Sequence, residues 1–295
     1  MEKGTIGKAA ESLGISQPAL TKSIRNLETL LQVKLLERRS RGVVPTIYGD
    51  AVLARGRSMR IELQELLRDI HALRTGTETH VRIGVAQGVA SRLVPTATIR
   101  LAADRPKSRF SVWAGTAADL IPMLVNGDID FAVSPLSAHR SETRTVEEFL
   151  FDDRPVIVAS CNHPLARKKS VRPKELVKCR WVLANTTTPL RRMLDQIFTV
   201  DNLPPPVPVI ECDSALYVKS VLIETDFVGF LPRDEIAVEE RSGLLKAISF
   251  RTEVPARPVG ILRRRSSTLS AVSLLLIREI RRVCQELGYT TKRSK

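Results

Sequence analysis

Apolar residues recur at helical spacing in two sets near the N-terminus, one within Ile6–Leu13 and one within Leu20–Leu31. Gly14 separates the two sets and predicts the end of the first helix, because glycine enters the left-handed conformation without strain. Thr5 and Ser16 stand where N-capping hydroxyls are expected. The pattern therefore predicts two short helices joined by a tight turn, which is typical of a helix-turn-helix. A surface helical hairpin of an enzyme is the alternative.

Beyond these helices, the pattern predicts a two-stranded wing over residues 33–47, with its tip at Arg38–Gly42 and Val43–Thr46 as the returning strand. A long helix, which Thr46 can cap, is predicted from about Ile47 to Leu73. Its apolar residues alternate spacings of three and four over about three heptads, which predicts pairing with a second helix. A helix facing the core is the alternative.

The pattern changes after a polar break at Arg74–His80, which is predicted to be a hinge between domains. Short apolar strands then alternate with amphipathic helices, and this rhythm favours a parallel sheet with covering helices. Strands are predicted at residues 81–85, 110–114, 127–133 with its turn, 150–159, 181–183, 209–212, 227–231 and 259–263. Helices are predicted at residues 91–103, 116–126, 190–198, 214–223 and 269–288.

The chain carries 46 Lys and Arg against 32 Asp and Glu, a net charge of +14. Such an excess suits a polyanionic partner such as nucleic acid. The first 60 residues hold eleven basic and five acidic side chains, so part of the excess lies on the predicted helix-turn-helix. The segment Ile261–Lys295 is also basic, and we expect a solvated helix face or a disordered tail there rather than a second DNA contact, with residues 289–295 as a basic tail.

The four cysteines form no CxxC pair and no metal-like spacing with histidine. We expect buried, reduced thiols, and a redox switch is the alternative. There is no apolar run of 18 residues and no signal peptide, so we expect a cytoplasmic protein without a membrane partner. No catalytic, metal or cofactor motif occurs, so neither enzymatic activity nor a cofactor is expected.

The segments AAESLGISQPALTKSIRNLE and LLERRSRGVVPTIYG resemble the N-terminal signature of the LysR-type transcriptional regulators. The chain departs from that signature at Val33, where the family usually has glycine, and at Leu36, where it usually has phenylalanine. Shorter matches follow within Gly127–Val133, at Asn162–Leu165 and at Pro232. The positions kept in the signature are Ala9, Ala10, Leu13, Ser16, Gln17, Pro18, Ala19, Leu20, Ile24, Leu27, Glu28, Leu35, Arg38, Arg41, Thr46 and Gly49.

The resemblance implies a multidomain protein. An N-terminal winged helix-turn-helix domain, mostly α, would occupy residues 1–47, and a linker and dimerisation helix with its hinge would occupy residues 48–79. A C-terminal α/β effector-binding domain, with the two-lobed fold of type 2 periplasmic binding proteins, would occupy residues 80–288. Its first lobe would hold about 80–160 and 264–288, and its second lobe about 161–263.

Members of this family normally carry a further helix before the position of Thr5, and that helix packs beneath the other two. Without it, Ile6, Leu13 and Leu27 would be under-covered, at about 1.5–3 kcal/mol for each large apolar side chain exposed. We therefore expect the native protein to start upstream of Met1, and the intact mass of the native protein would check this.

The second helix, predicted as Gln17–Leu30, is expected to enter the major groove of DNA. Through the linker helix, the resemblance implies a homodimer or homotetramer, so that two such helices meet a two-fold operator in double-stranded DNA. RNA polymerase is a further candidate partner. Base or backbone contacts are expected from Ser16, Gln17, Pro18, Thr21, Lys22 and Arg25, and contacts with the flanking backbone from Arg38, Arg39 and Arg41.

In an open α/β sheet, ligands lie beyond the carboxyl ends of the strands. The resemblance places a small-molecule effector there, in the cleft between the lobes. A small carboxylate or a sugar would suit the hydroxyl-rich loop Asn185–Thr188, and the opening Gly4–Ala10 is similar to that of the galactose-binding-protein regulator subgroup. Each hydroxyl could instead cap a helix, Thr116 above all. The candidates are Gln87, Gly88, Ser91, Gly115, Thr116, Ser134, Asn185, Thr186, Thr187 and Thr188.

The sequence therefore favours a sequence-specific, DNA-binding regulator that responds to a small-molecule effector, with activation and repression both open. The rival hypothesis is a two-lobed small-molecule receptor or enzyme without a DNA role. The basic helix-turn-helix and the missing export signal favour the regulator.

We predict that Arg25→Ala weakens binding to the operator by about 1–3 kcal/mol, because a contact with the base or backbone would be lost. A mobility-shift titration measures this change, and an unchanged affinity would refute the assignment of Arg25.

Overall fold

The computed structural model describes residues 5–39, 42–75, 80–136, 144–265 and 267–289. The chain divides into two compact units, Met1–His71 and Ala72–Lys295, and each is considered by itself. No helix in these ranges combines the length and the apolar character that a membrane span requires.

The first unit contains the predicted pair of short helices. Thr5 accepts a hydrogen bond from the Lys8 amide as N-cap of the first helix, and Ser16 accepts one from the Ala19 amide as N-cap of the second. Gly14 between them has φ 65°. The elements of this unit are α1 (Ile6–Ser12), α2 (Gln17–Leu31), β1 (Leu36–Arg39), β2 (Gly42–Pro45) and α3 (Ile47–Thr75). The predicted helix-turn-helix, wing and linker helix are thus confirmed as elements.

Glu28 joins α2 to the start of the wing through its carboxylate. Its carboxylate accepts the Leu35 amide at 2.9 Å and the Leu36 amide at 3.4 Å, and it pairs with the Lys34 ammonium at 3.0 Å. The Leu35 amide, followed by the Lys34 ammonium, holds the pKa of Glu28 below its ordinary value. Thr46 holds the other end of the wing, because its hydroxyl donates to the Lys34 carbonyl at 2.6 Å.

The wing differs in detail from its prediction. Arg38 and Arg39 were expected at the tip, but they lie in β1, where Arg39 pairs with Gly42 across the hairpin. The ladder of the two strands continues as far as this pair, so both arginines are strand residues. Ser40 and Arg41 of the predicted tip lie outside the described residues.

The apolar sides of α1 and α2 are largely exposed within the first unit. Ala10 is the buried residue of α1, and no residue of α2 is buried. Leu13 is 63% exposed and Leu27 is 38% exposed. Together with the wing and the start of α3, these side chains line an apolar groove.

The second unit alternates strands and helices, as predicted. Its helices are α4 (Gln87–Ala90), α5 (Leu93–Asp104), α6 (Ala117–Asn126), α7 (Pro173–Leu176), α8 (Pro189–Val200), α9 (Ala215–Glu224), α10 (Ala237–Arg241) and α11 (Ala271–Glu286). Short 3-10 helices occupy Pro164–Arg167 and Arg233–Ile236. Its strands are β3 (His80–Ala86), β4 (Arg109–Gly115), β5 (Phe131–Pro135), β6 (Thr145–Asp153), β7 (Val156–Ser160), β8 (Val182–Leu183), β9 (Ile210–Glu211), β10 (Val228–Leu231), β11 (Leu245–Ile248) and β12 (Arg257–Arg264).

Two lobes form around separate sheets. The first lobe has a five-stranded sheet in the order β4-β3-β5-β12-β6, and the second has a three-stranded sheet in the order β10-β7-β11 with the parallel pair β8-β9 beside it. The expectation of a parallel sheet holds for β4-β3-β5 and for the pair β8-β9, whereas β10 and β11 run antiparallel to β7. Strand β12 runs antiparallel to both β5 and β6, because it returns from the second lobe in the opposite direction.

The predicted single strand at residues 150–159 is wrong. Strand β6 ends at Asp153 in the first sheet, and β7 begins at Val156 in the second. Pro155 between them has no amide hydrogen for a sheet, so the chain changes lobe here, before the predicted second lobe begins at about residue 161. The predicted helix at 91–103 is present as α5 (Leu93–Asp104). The short α4 precedes it and is separated from it at Arg92, which has non-helical φ and ψ of −140° and −59°.

Gly49 lies where α3 meets the wing. A Cβ atom at this position would stand 2.1 Å from the Leu35 carbonyl oxygen and 3.1 Å from the Pro45 Cβ atom. We predict that Gly49→Ala lowers the free energy of unfolding of the first unit by about 1–3 kcal/mol, because the backbone must shift to make room. Thermal unfolding of the full chain followed by circular dichroism measures the change.

Gly56→Ala is the matched control, because it is also a helical glycine of α3 and a Cβ atom there meets nothing within 4 Å. It should stabilise the helix by roughly 0.5–1 kcal/mol. Equal behaviour of the two variants would contradict the packing argument.

Candidate functional site

The outward face of α2 presents hydrogen-bond donors. Gln17, Lys22 and Arg25 are exposed, and Thr21 is half-buried with its hydroxyl donating to the Gln17 carbonyl at 2.9 Å. Within the described part of the chain, no carboxylate pairs with Lys22 or Arg25. Both cations therefore remain available to an anionic partner.

The other predicted DNA contacts have different positions. Ser16 is exposed but its hydroxyl caps α2, accepting the Ala19 amide at 3.3 Å, and Pro18 lies in the first turn. Arg39 is exposed at the end of β1. Arg38 lies within β1, and Arg41 is outside the described residues. Lys22, Arg25 and Arg39 are thus the exposed cations among the candidates of this unit.

The second unit holds a cavity of about 260 Å³ between its two lobes. Five predicted effector residues line it: Gln87, Gly88, Gly115, Thr116 and Thr188. The structure does not bring Ser91, Ser134, Asn185, Thr186 or Thr187 into the lining. The remaining lining is Ala86, Val89, Ala117, Pro135, Asp153, Val182, Ala184, Pro189, Leu190, Cys212, Asp213, Ala215, Val218, Phe230, Leu231, Pro232, Glu235, Arg257 and Val259.

The polar side chains of the hydroxyl-rich loop before α8 form hydrogen bonds within the loop itself. The Asn185 side-chain oxygen accepts the Thr187 amide at 3.0 Å and its hydroxyl at 2.9 Å. The Thr188 hydroxyl donates to the Asn185 carbonyl at 2.8 Å and also accepts the Arg191 amide as N-cap of α8. Asn and Thr side chains commonly make such local bonds. This loop is therefore mainly a helix cap, and Thr188 is its contribution to the cavity.

Thr116 is likewise a helix cap. It forms a capping box with Asp119 at the start of α6, in which its amide donates to the carboxylate at 2.9 Å and its hydroxyl does so at 2.7 Å. The Thr116 hydroxyl, followed by its amide, lowers the pKa of Asp119. The alternative of a cap at Thr116 is thus confirmed, and the residue also lines the cavity.

Sequence reasoning missed the charged groups of the cavity. These are Asp153, Asp213, Glu235 and Arg257. Arg257 Nη2 donates to Asp153 Oδ2 at 2.6 Å. Asp153 ends β6 and Arg257 begins β12, and no local pattern connects two positions so far apart in sequence. Only the strand pairing brings them together.

Glu235 is a buried carboxyl group at the cavity, with 4% of its surface exposed. Burial raises its pKa to about 7, while Arg257 and then Lys219 oppose the rise and Asp153 adds to it. Its side chain makes no hydrogen bond within the described residues. A group titrating near neutrality in a cleft is typical of functional sites.

The four cysteines are free thiols, and no group of three or more metal-ligating side chains occurs among the described residues. Cys284 is buried, and burial raises its pKa to about 12. The other three are half-buried, which only partly matches the predicted buried thiols.

The folded state binds the Glu235 proton more tightly than the unfolded chain, since its pKa is about 7 against an ordinary 4.5. The contribution of this tighter proton binding to the free energy of unfolding is present in full below pH 4.5 and is lost as the pH rises through 7. We predict that Glu235→Gln removes this pH dependence and, above pH 7, stabilises the protein by roughly 3 kcal/mol relative to the wild type. Urea unfolding between pH 5 and pH 8 measures it.

Glu224→Gln is the control, because Glu224 is exposed and lies in the same unit. It should keep the pH dependence of the wild type. Both tryptophans, Trp113 and Trp181, lie in the second unit, so their fluorescence follows its unfolding. Parallel pH profiles for wild type and Glu235→Gln would contradict the prediction.

Comparison with known proteins gives the family. The family model described as the LysR substrate binding domain matches residues 74–285, and the model described as the bacterial regulatory helix-turn-helix protein of the lysR family matches residues 1–50. The HTH-type transcriptional regulator GalR of Pseudomonas putida is 29% identical over 277 residues, covering 94% of this chain and 70% of that protein. GbpR of Azospirillum brasilense is 29% identical over 270 residues, covering 91% and 79%.

Solved structures agree in fold. A full-length OxyR variant from Pseudomonas aeruginosa has a TM-score of 0.66 at 21% identity, covering 99% of this chain and 94% of that one. Full-length CbnR in complex with its target DNA has a TM-score of 0.56 at 18% identity, covering 96% and 95%. With both family models matched in order along its length, the chain belongs to the LysR family of bacterial transcriptional regulators, and it is a regulator rather than an enzyme.

Proposed function

We propose that this LysR-family regulator reads an operator in double-stranded DNA with α2 and the wing, as a dimer or a tetramer built on dimers, under the control of an effector in the cavity of the second unit. The observation that carries the proposal is the exposed, donor-rich face of α2, where Lys22 and Arg25 have no carboxylate partner in the described chain. We further propose that it acts in the cytoplasm and contacts RNA polymerase.

The contacts of α2 divide into two kinds. Gln17 and Arg25 suit base edges in the major groove, because an amide and a guanidinium each offer paired hydrogen-bond geometry. Lys22 suits phosphate, since its ammonium is a point charge. Arg39 lies on the wing and suits the flanking backbone, and Arg38 and Arg41 remain proposals of the same kind.

Dimerisation through α3 rests on its exposed apolar surface. Met59, Leu63, Leu66, Leu67 and Ile70 are each more than half exposed within the first unit. Burying them against a second copy of the helix would gain about 25 cal/mol for each Å² of apolar surface removed from water. A closed two-fold pair would place two recognition helices on one operator.

Effector control rests on the cavity between the lobes. A ligand there touches both lobes and therefore favours one relative position of them over another. Its influence on DNA binding equals the difference in its affinity for the two assemblies. Activation or repression then depends on which of the two assemblies permits transcription when it is bound at the promoter.

Salt dependence tests the DNA role. The full-length chain is used to select a duplex from a random-sequence library, and its affinity for that duplex is then measured between 50 mM and 200 mM salt. With six to ten phosphate contacts we expect a fall of about 10³–10⁵-fold. A two-lobed receptor or enzyme would select no duplex, which would contradict the proposal.

Lys22→Ala should reduce the slope of log affinity against log salt by about 1 for each copy in the complex, because one phosphate contact is lost. Lys169→Ala is the matched control, since Lys169 is exposed in the second unit and outside the proposed surface. It should keep the slope of the wild type, and an equal effect of both variants would remove Lys22 from the proposed surface.

A further inference from the structure

The charges that line the cavity are mostly acidic. The described lining residues include three acidic side chains, Asp153, Asp213 and Glu235, and a single basic one, Arg257. Arg257 is already paired with Asp153 at 2.6 Å, and both side chains are largely buried. The cavity therefore offers no unpaired cation to an anionic ligand, while the Asp213 carboxylate would repel it.

Helix N-termini are the other groups that hold anions. Three helices of ten or more residues, α6, α8 and α9, begin at the cavity. The carboxylate of Asp119 already accepts the amide and hydroxyl at the start of α6. Asp213 puts a carboxylate directly before the N-cap of α9, and α8 begins with Pro189, which has no amide hydrogen. Each N-terminus is thus neutralised or short of a donor.

Hydrogen-bond acceptors and donors remain available side by side. The Glu235 carboxyl group has no hydrogen bond within the described chain, although it lines the cavity. Arg257 uses Nη2 on Asp153, its Nε has no partner among the described atoms, and a guanidinium has five N–H donors in all. A ligand hydroxyl can donate to Glu235 and accept from Arg257. A hydroxyl can donate and accept at the same time, whereas an ammonium group only donates and a carboxylate only accepts.

The rest of the lining is apolar and the cavity is small, about 260 Å³. Val182, Phe230, Leu231 and Val259 supply walls that suit the C–H faces of a compact ring or chain. Small-molecule sites commonly combine such walls with a few polar groups that fix the ligand's orientation. The polar groups here are those that an uncharged ligand with several hydroxyls would satisfy.

We infer that the cavity binds an uncharged, polyhydroxylated molecule of the sugar or polyol class and discriminates against carboxylates and amines. This inference rests on the proposed function, in which the cavity is the effector site. Of the two effector classes that the sequence leaves open, a small carboxylate or a sugar, the inference selects the sugar.

The test uses sets of matched ligands that share one scaffold and differ in charge. The full-length chain is titrated with galactose, glucose, mannose and arabinose, with galacturonate and glucuronate, and with galactosamine and glucosamine, each up to 10 mM. Isothermal titration calorimetry and the shift in Tm report binding, since a ligand of the folded state raises Tm by mass action. We expect a neutral sugar to bind at least tenfold more tightly than its own acid and amine counterparts.

Binding of an acid or an amine in preference to its neutral counterpart would overturn the inference, and so would the absence of binding across the whole set. The DNA titration with the selected duplex is run on the same protein sample. Loss of DNA binding with retained sugar binding would contradict the proposed function alone. Retained DNA binding with preference for acids would contradict the inference alone.

Two variants test the electrostatic argument directly. Asp213→Asn removes a charge but keeps an oxygen that can accept the Asn185 amide, which now donates to Asp213 at 3.0 Å. It should raise the affinity for the uronates relative to the neutral sugars by roughly tenfold. Glu224→Gln, on the exposed end of α9, should leave the ratio unchanged. An unchanged ratio in Asp213→Asn would remove charge repulsion as the basis of selectivity.

Discussion

The second unit depends on one ion pair, between Arg257 and Asp153. The chain passes from the first lobe to the second after β6 and returns into β12, and these two residues stand opposite each other where the crossing strands pair. Their 2.6 Å hydrogen bond is largely buried, so losing either partner would leave a buried charge, at about 3–5 kcal/mol. The ion pair therefore links the two segments that connect the lobes. It also neutralises the Arg257 charge at the cavity.

The groups that begin the helices also decide what the cavity can bind. A helix N-terminus attracts anions only while its amides and its dipole are not already compensated. Thr116 with Asp119, and Thr188 with the Asn185 loop, complete that compensation within the protein. The side chains that cap these helices are thus also those on which the proposed ligand selectivity of the cavity rests.

In the first unit, too, one side chain stabilises two elements. Glu28 lies on α2, yet its carboxylate fixes the start of the wing through the amides of Leu35 and Leu36. Helix α2 and the wing are consequently joined by these hydrogen bonds, and Gly49 permits α3 to approach the wing closely. The position of Glu28 in the family signature has a structural explanation in these bonds.

The sequence by itself determined the local elements and the family. The helix-turn-helix follows from caps and a glycine with positive φ, which act over three or four residues, and the linker helix follows from its periodicity. Half of the predicted cavity residues, such as Gly88 and Thr116, line it because loops after parallel strands share one edge of a sheet. Only the tertiary structure decided the division of 150–159 between two sheets, the antiparallel return of β12 and the meeting of Asp153, Glu235 and Arg257. These depend on pairings between residues far apart in the chain, such as Phe131 with Arg263 and Asp153 with Arg257, which leave no periodic trace in the sequence.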